Sequence, residues 1–153
     1  MRLLALISMA ILTGCASLDD PDGRTQFLPS ASTTLKGDLA PRQLSVGECG
    51  LFVWSGDFAR NFILFSNSRN NEGAWVSENG EERLTLVATD GVPTQGQYPE
   101  TVYTTPSGKR LSLSLHRAQS ITRGTRYKSG TLTETTPEGW DEIKPVVGLS
   151  ACL

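Results

Sequence analysis

Histidine occurs once in this 153-residue chain, cysteine three times, and charged residues make up only 20% of it. With a single histidine and no Cys-x-x-Cys pair, the ligands for a zinc site are missing, and no metal or other cofactor is implied. Fourteen basic residues stand against sixteen acidic ones, and they are scattered singly except at Lys109-Arg110, so there is no electrostatic footprint for nucleic acid. No Gly-x-Ser-x-Gly elbow frames any serine, and no glycine pattern is suited to cradling a phosphate. Long apolar runs are missing too. The longest, from Leu3 to Leu12, is too short for a transmembrane helix, which needs about 20 apolar residues.

What is abundant is the chemistry of short strands and turns. Ser and Thr together number 31, beside 15 Gly and 8 Pro, and no stretch holds a helical period for a convincing length. The length suits one domain.

Residues 1–14 have the layout of a secretion signal: one positive charge at Arg2, the apolar run, then small residues ahead of Cys15. Leu12-Thr13-Gly14-Cys15 resembles the lipobox of bacterial lipoproteins. The resemblance implies cleavage before Cys15 and acylation of its thiol, which ties the protein to a membrane through lipid. Several acyl chains give lasting attachment where one gives only marginal binding. Ala16 follows the lipidated position, and in the enterobacterial sorting pattern an Asp there favours the inner membrane, so the expected address is the outer membrane, facing the periplasm.

From residue 15 to 47 no period persists, and the run is punctuated by Asp19-Asp20-Pro21-Asp22-Gly23, Pro29 and Pro41. The expectation is a disordered tether, with Phe27, Leu28 and Leu35 as residues able to dock on the domain as a short edge strand. The β-domain then occupies residues 48–153. Two cysteines remain, Cys49 at its start and Cys152 near its end, and an oxidising compartment favours a disulfide between them.

Within the domain, residues 51–54 and 61–65 are apolar without alternation, joined by a loop that includes Gly56, Asp57 and Phe58. Such a hairpin is either covered on both faces or presents one apolar face to a partner. Strict alternation would group Phe52, Trp54, Phe62 and Leu64 against Val53, Ile63 and Phe65. Asn79-Gly80 predicts a two-residue turn that pairs Trp75 with Leu84 and Val76 with Arg83, turning Trp75, Leu84 and Leu86 inward and Arg83 and Thr85 outward. Leu111, Leu113 and Leu115 alternate with Ser112, Ser114 and His116 in a third hairpin closed near Pro106-Ser107-Gly108. A fourth pair spans residues 126–135 and 140–149, and Pro145 assigns its second strand to an edge, a bulge or a terminus. The fold class is all-β: a small antiparallel barrel or two-sheet sandwich of about eight short strands, with the disulfide joining first strand to last.

No catalytic set emerges. His116 falls on the polar face of its strand, where a solvated side chain is expected, and adjacent acidic pairs such as Glu81-Glu82 point to opposite faces of a strand. Aromatic density is the stronger signal, because Phe52, Trp54, Phe58, Phe62 and Phe65 fall within fourteen residues. Two resemblances add candidates. Gly73-Ala74-Trp75 is similar to the Gly-x-Trp of lipocalins, which implies a barrel holding an apolar ligand. Gly124-Thr125-Arg126-Tyr127 resembles the end of the Ser-Gly-x-x-Tyr loop of membrane-bound c-type lysozyme inhibitors, with Arg123 in place of the serine and no Lys-Gly pair after Thr131. The expected function is non-enzymatic: an anchored accessory that binds an envelope protein or a small apolar ligand, with Phe52, Trp54, Phe58, Phe62, Arg123 and Tyr127 as the candidate surface.

Overall fold

A computed structural model describes residues 37–70 and 72–153. Eight antiparallel strands follow one another around a closed barrel: β1 (Cys49–Ser55), β2 (Phe62–Asn67), β3 (Glu72–Ser77), β4 (Gly80–Asp90), β5 (Glu100–Thr104), β6 (Arg110–Ile121), β7 (Gly124–Thr135) and β8 (Asp141–Cys152). The expected all-β class is realised as the barrel rather than the sandwich, because β8 pairs with β1 over seven residue pairs, from Cys49 opposite Cys152 to Ser55 opposite Val146. Closure leaves neither end strand with an open ladder along that length.

Alternation decides what faces inward. Leu111, Leu113 and Leu115 are buried while Ser112 and Ser114 lie half-exposed outside, as their spacing predicts. The interior is filled by Trp75, Tyr103, Tyr127, seven leucines, Val53 and Val146, each 3% exposed or less. A carrier of the lipocalin kind needs a hollow there, and these side chains occupy it.

The second hairpin departs from expectation in register and agrees in face. Ser77 pairs with Gly80, so Trp75 lies opposite Glu82 and Gly73 opposite Leu84. The turn sits on Glu78-Asn79 because the Ser77 hydroxyl spans it, donating to the Gly80 carbonyl and accepting from the Asn79 N–H. Gly80 adopts a φ of 113°, open to glycine. The partner of each β3 residue moves by two positions, and an even shift keeps every side chain on its face. Trp75 and Leu84 are therefore buried, and Arg83 and Thr85 exposed, as expected.

Pro145 is accommodated where the barrel ends. The β1 ladder stops at Ser55 opposite Val146, so residues 141–145 pair with β7 alone and form an edge. The Pro145 carbonyl accepts from Gly56 N–H at 2.7 Å, and the β7 bulge between Tyr127 and Gly130 faces the next residues of β8, 146–148.

The described part of the stretch read as tether is packed on the barrel instead. Leu39 is buried, its N–H donates to the Phe62 carbonyl at 2.7 Å, and Gly47 N–H donates to the Leu153 carbonyl at 2.8 Å. Residues 38–47 thus form a strap over the outside of the barrel, anchored by Leu39 rather than by the expected Phe27, Leu28 or Leu35. Those three, Cys15 and the signal segment lie outside the described residues.

A candidate binding face on the barrel exterior

The first hairpin carries two apolar faces because of its register. Phe52 lies opposite Phe65 on β2 and opposite Leu149 on β8, and Trp54 lies opposite Phe62 and opposite Val147. Directly opposed residues share a face, so all six point away from the core. Leu51, Val53 and Leu64 are fully buried. The grouping expected from strict alternation is corrected by a bulge: Val53 pairs with Leu64 and Trp54 with Phe62, leaving Ile63 unpaired and packed toward the core. One extra residue swaps the faces on either side of it, which places Leu64 inside and Phe65 outside.

The aromatic rings touch. Centroid separations are 5.1 Å for Phe52 with Phe65, 5.5 Å for Trp54 with Phe62, 5.9 Å for Phe52 with Phe62 and 6.3 Å for Phe52 with Trp54. These are distances at which ring pairs attract beyond simple area burial. Gly50 makes room for them: a Cβ there would come within 2.9 Å of both Leu44 of the strap and Phe65. Leu44 of the strap packs beside half-buried Phe65, and an open groove of about 850 Å³ lies between the strap and Phe52, Trp54, Phe62 and Leu149. A second groove of about 690 Å³ continues on the far side of Trp54, lined by Val147, Ile121, Arg126 and Lys128, and Arg60 and Leu149 border both.

Of the residues singled out in the sequence, Phe52, Trp54 and Phe62 are brought together here. Phe58 is separate, fully exposed at the tip of the β1–β2 loop. That loop is held by Asp57, whose carboxylate accepts from the Ser55 hydroxyl at 2.7 Å and from the Ala59 and Arg60 N–H groups, and these bonds hold its pKa below the ordinary value. Arg123 occupies the β6–β7 turn at a φ of 62°. Tyr127 is corrected: it is 3% exposed, within the core, and burial raises its pKa, the Thr94 side chain opposing that by hydrogen bonding. Gly124 to Tyr127 begin strand β7 and are paired with β6 and β8.

Cys49 and Cys152 are disulfide-bonded, with Cα atoms 4.1 Å apart. His116 is exposed, its Nε2 lying 3.1 Å from the Ser114 hydroxyl. That hydroxyl donates to Glu100 at 2.6 Å, so its proton is committed to the carboxylate and the imidazole does not activate it.

Reading the sequence overlooked Arg60, Arg126, Lys128, Val147 and Leu149. The signal for Arg126 and Lys128 was available once Tyr127 is placed inside, since the neighbours of an inward strand residue point out. Comparison of the chain with protein-family models, with curated proteins and with solved structures gives no match to any of them.

Proposed function

We propose that this protein is an exported, lipid-anchored and non-enzymatic binding or accessory protein of the bacterial envelope, attached through Cys15 and facing the periplasm from the outer membrane. Its contact surface is the outer face of β2, β1 and β8 with the two adjoining grooves. One observation carries this reading: Phe52, Trp54 and Phe62, with Val147 and Leu149, are only partly covered on the barrel exterior while a separate set of side chains fills the interior. Apolar area held in water at a solvent-facing site costs stability unless a partner covers it. The packed interior and the strand conformation of Gly124 to Tyr127 favour this reading over a carrier or an inhibitor.

A photo-crosslinking residue at position 54 of the intact lipoprotein tests this in cells. The expected result is an adduct formed from position 54 and not from position 112, on the opposite, hydroxyl-rich side. Adducts from position 123 alone would move the contact to the β6–β7 turn and overturn the reading.

A further inference from the structure

The charges bordering the aromatic face identify what covers it. Arg60, Arg126 and Lys128 are exposed, and among the described residues no carboxylate lies within 4 Å of their charged side-chain groups, the Asp57 carboxylate meeting Arg60 only at its backbone N–H. Among the described residues Asp38 is the only acidic side chain that lines either groove, and its carboxylate accepts the Phe62 N–H. The remaining cation, Arg42, is paired with Glu81. The face is therefore apolar at its centre and carries at its borders three cations that, among the described residues, have no ion-pair partner.

The route of the chain bears on the same face. Gly37 lies beside Asn61, and Leu39 bonds to Phe62, so the segment that leads back toward Cys15 meets the barrel at the border of the aromatic groove, next to Arg60. From Cys15 to Gly37 the chain can extend at most about 75 Å. An anchor at Cys15 thus holds this border within reach of the bilayer.

We infer that the outer face of β2, β1 and β8 docks flat on an anionic lipid surface, with Trp54, Phe52, Phe62, Val147 and Leu149 entering the boundary between headgroups and acyl chains and Arg60, Arg126 and Lys128 meeting lipid phosphates. Tryptophan and phenylalanine favour that boundary, and basic side chains near it are attracted by anionic headgroups. A second copy of the chain is a poorer occupant, because a two-fold contact through this face would bring uncompensated cations together. The inference rests on the anchored reading above and specifies its partner.

The test uses the mature acylated protein on vesicles of phosphatidylethanolamine mixed with either phosphatidylglycerol or phosphatidylcholine, with brominated acyl chains as quenchers. Trp140→Phe removes the other exposed indole, and Trp75, at 2% exposure inside the barrel, is shielded, which leaves Trp54 as the reporter. Quenching of Trp54 on phosphatidylglycerol vesicles, reduced on phosphatidylcholine and in ~0.5 M NaCl, is the expected result. Replacing Arg60, Arg126 and Lys128 together by Gln should lower the docked-to-undocked ratio roughly 100-fold, at about five-fold per charge. Co-flotation with both vesicle types without quenching overturns the docking and leaves the anchor standing. Co-flotation and quenching with phosphatidylglycerol alone supports the docking and removes the anchor. Flotation with neither removes both, and quenching that ignores lipid charge and the triple substitution overturns the inference as stated.

Discussion

Two sides of the same barrel are alike within and different without. Behind β2, β1 and β8 lie Leu64, Leu51, Val53 and Val146, and behind β5, β6 and β7 lie Tyr103, Leu111, Leu113 and Leu132, all buried. Outside, the first side shows Phe62, Phe52, Trp54 and Leu149, while the second shows Ser112, Ser114, Thr131 and Thr133. The second side is a barrel wall that needs no aromatic exterior to pair and close. It follows that the rings of the first side are not a requirement of the architecture, and their presence on a solvent-facing wall points to a use.

The inner half of this comparison is broken most severely by a cavity. Leu113→Ala on β6 and Leu51→Ala on β1 should each destabilise the domain by about 3–5 kcal/mol, because both side chains are 1% exposed or less in a filled interior. Chemical denaturation of the two variants side by side checks the point. A cost below about 1 kcal/mol at either position would mean that the two inner walls are not equivalent.

The disulfide ranks next. Cys49 and Cys152 lie directly opposite one another across the β1–β8 seam and close a loop with a sequence separation of 103. In the chain-entropy model such a loop stabilises by up to roughly 4–5 kcal/mol, and about 2–4 kcal/mol is the usual range. Cys152→Ala should lower stability by that amount, and thermal melting with and without reductant should show the wild-type melt converging on the variant's. Full alkylation of both thiols in the unreduced native protein would show that no such bond joins the seam. Its loss should expose the β1 side first, since that is where the seam lies.

How much of this was readable beforehand follows from how local each signal is. The alternation of Leu111, Leu113 and Leu115 is a property of one strand and needed no partner to interpret. Eight strands and their up-and-down order followed from turns and spacing, and the joining of the end cysteines from the two thiols left once Cys15 is set aside. The register at Glu78-Asn79 did not, because a hydroxyl at Ser77 competed with the Asn-Gly preference and moved the turn by one residue. The faces of Leu64 and Phe65 were inverted by the bulge at Ile63, which an apolar run conceals, since either parity looks equally hydrophobic. The likeness to the inhibitor loop put Tyr127 on the surface, although its charged neighbours Arg126 and Lys128 are what an inward strand residue has. The cationic border of the aromatic face joins the β1–β2 loop to β7, which only barrel closure brings together.

A smaller effect concerns one end of the barrel, where Glu134 is 6% exposed and accepts from Lys109 Nζ at 2.7 Å and from Lys144 Nζ at 3.5 Å. The Glu134 hydrogen bond raises the Lys109 pKa above its ordinary 10.5, burial opposing it, and Lys109 also lies 5.2 Å from the Trp75 ring centroid. A raised lysine contributes stability that is full below 10.5 and is lost as pH rises through the folded value. Glu82 behaves oppositely. Burial pushes its carboxyl up, but the Ser107 and Ser77 hydroxyls and the Lys109 ammonium outweigh burial and hold it below its ordinary 4.5. Its contribution is present above 4.5 and is lost as pH falls through the folded value. Stability should therefore be level across neutral pH and decline at both extremes. Glu134→Gln should cost about 1–2 kcal/mol at neutral pH and flatten the alkaline decline, leaving the acid limb in place. An unchanged alkaline limb would assign that decline to the tyrosines or to another lysine.

The least costly substitutions test the outer half of the comparison. Trp54→Ala removes ring contacts with Phe52 and Phe62 and no core packing, so it should lower stability by about 1 kcal/mol. Ser114→Ala on the opposite wall should change it less than that, although it gives up the hydroxyl's bond to Glu100. If the aromatic wall serves binding, Trp54→Ala should abolish crosslinking through the neighbouring Phe52 position and Ser114→Ala should leave it intact. Both variants would melt within a few degrees of the wild type, so a difference in binding would not reflect unfolding. A loss of several kcal/mol on Trp54→Ala would instead give the outer aromatics a structural role, making them a second core under the strap of residues 38–47. The pairing of a small stability change with a complete loss of contact distinguishes a surface kept for a partner from one kept for the fold.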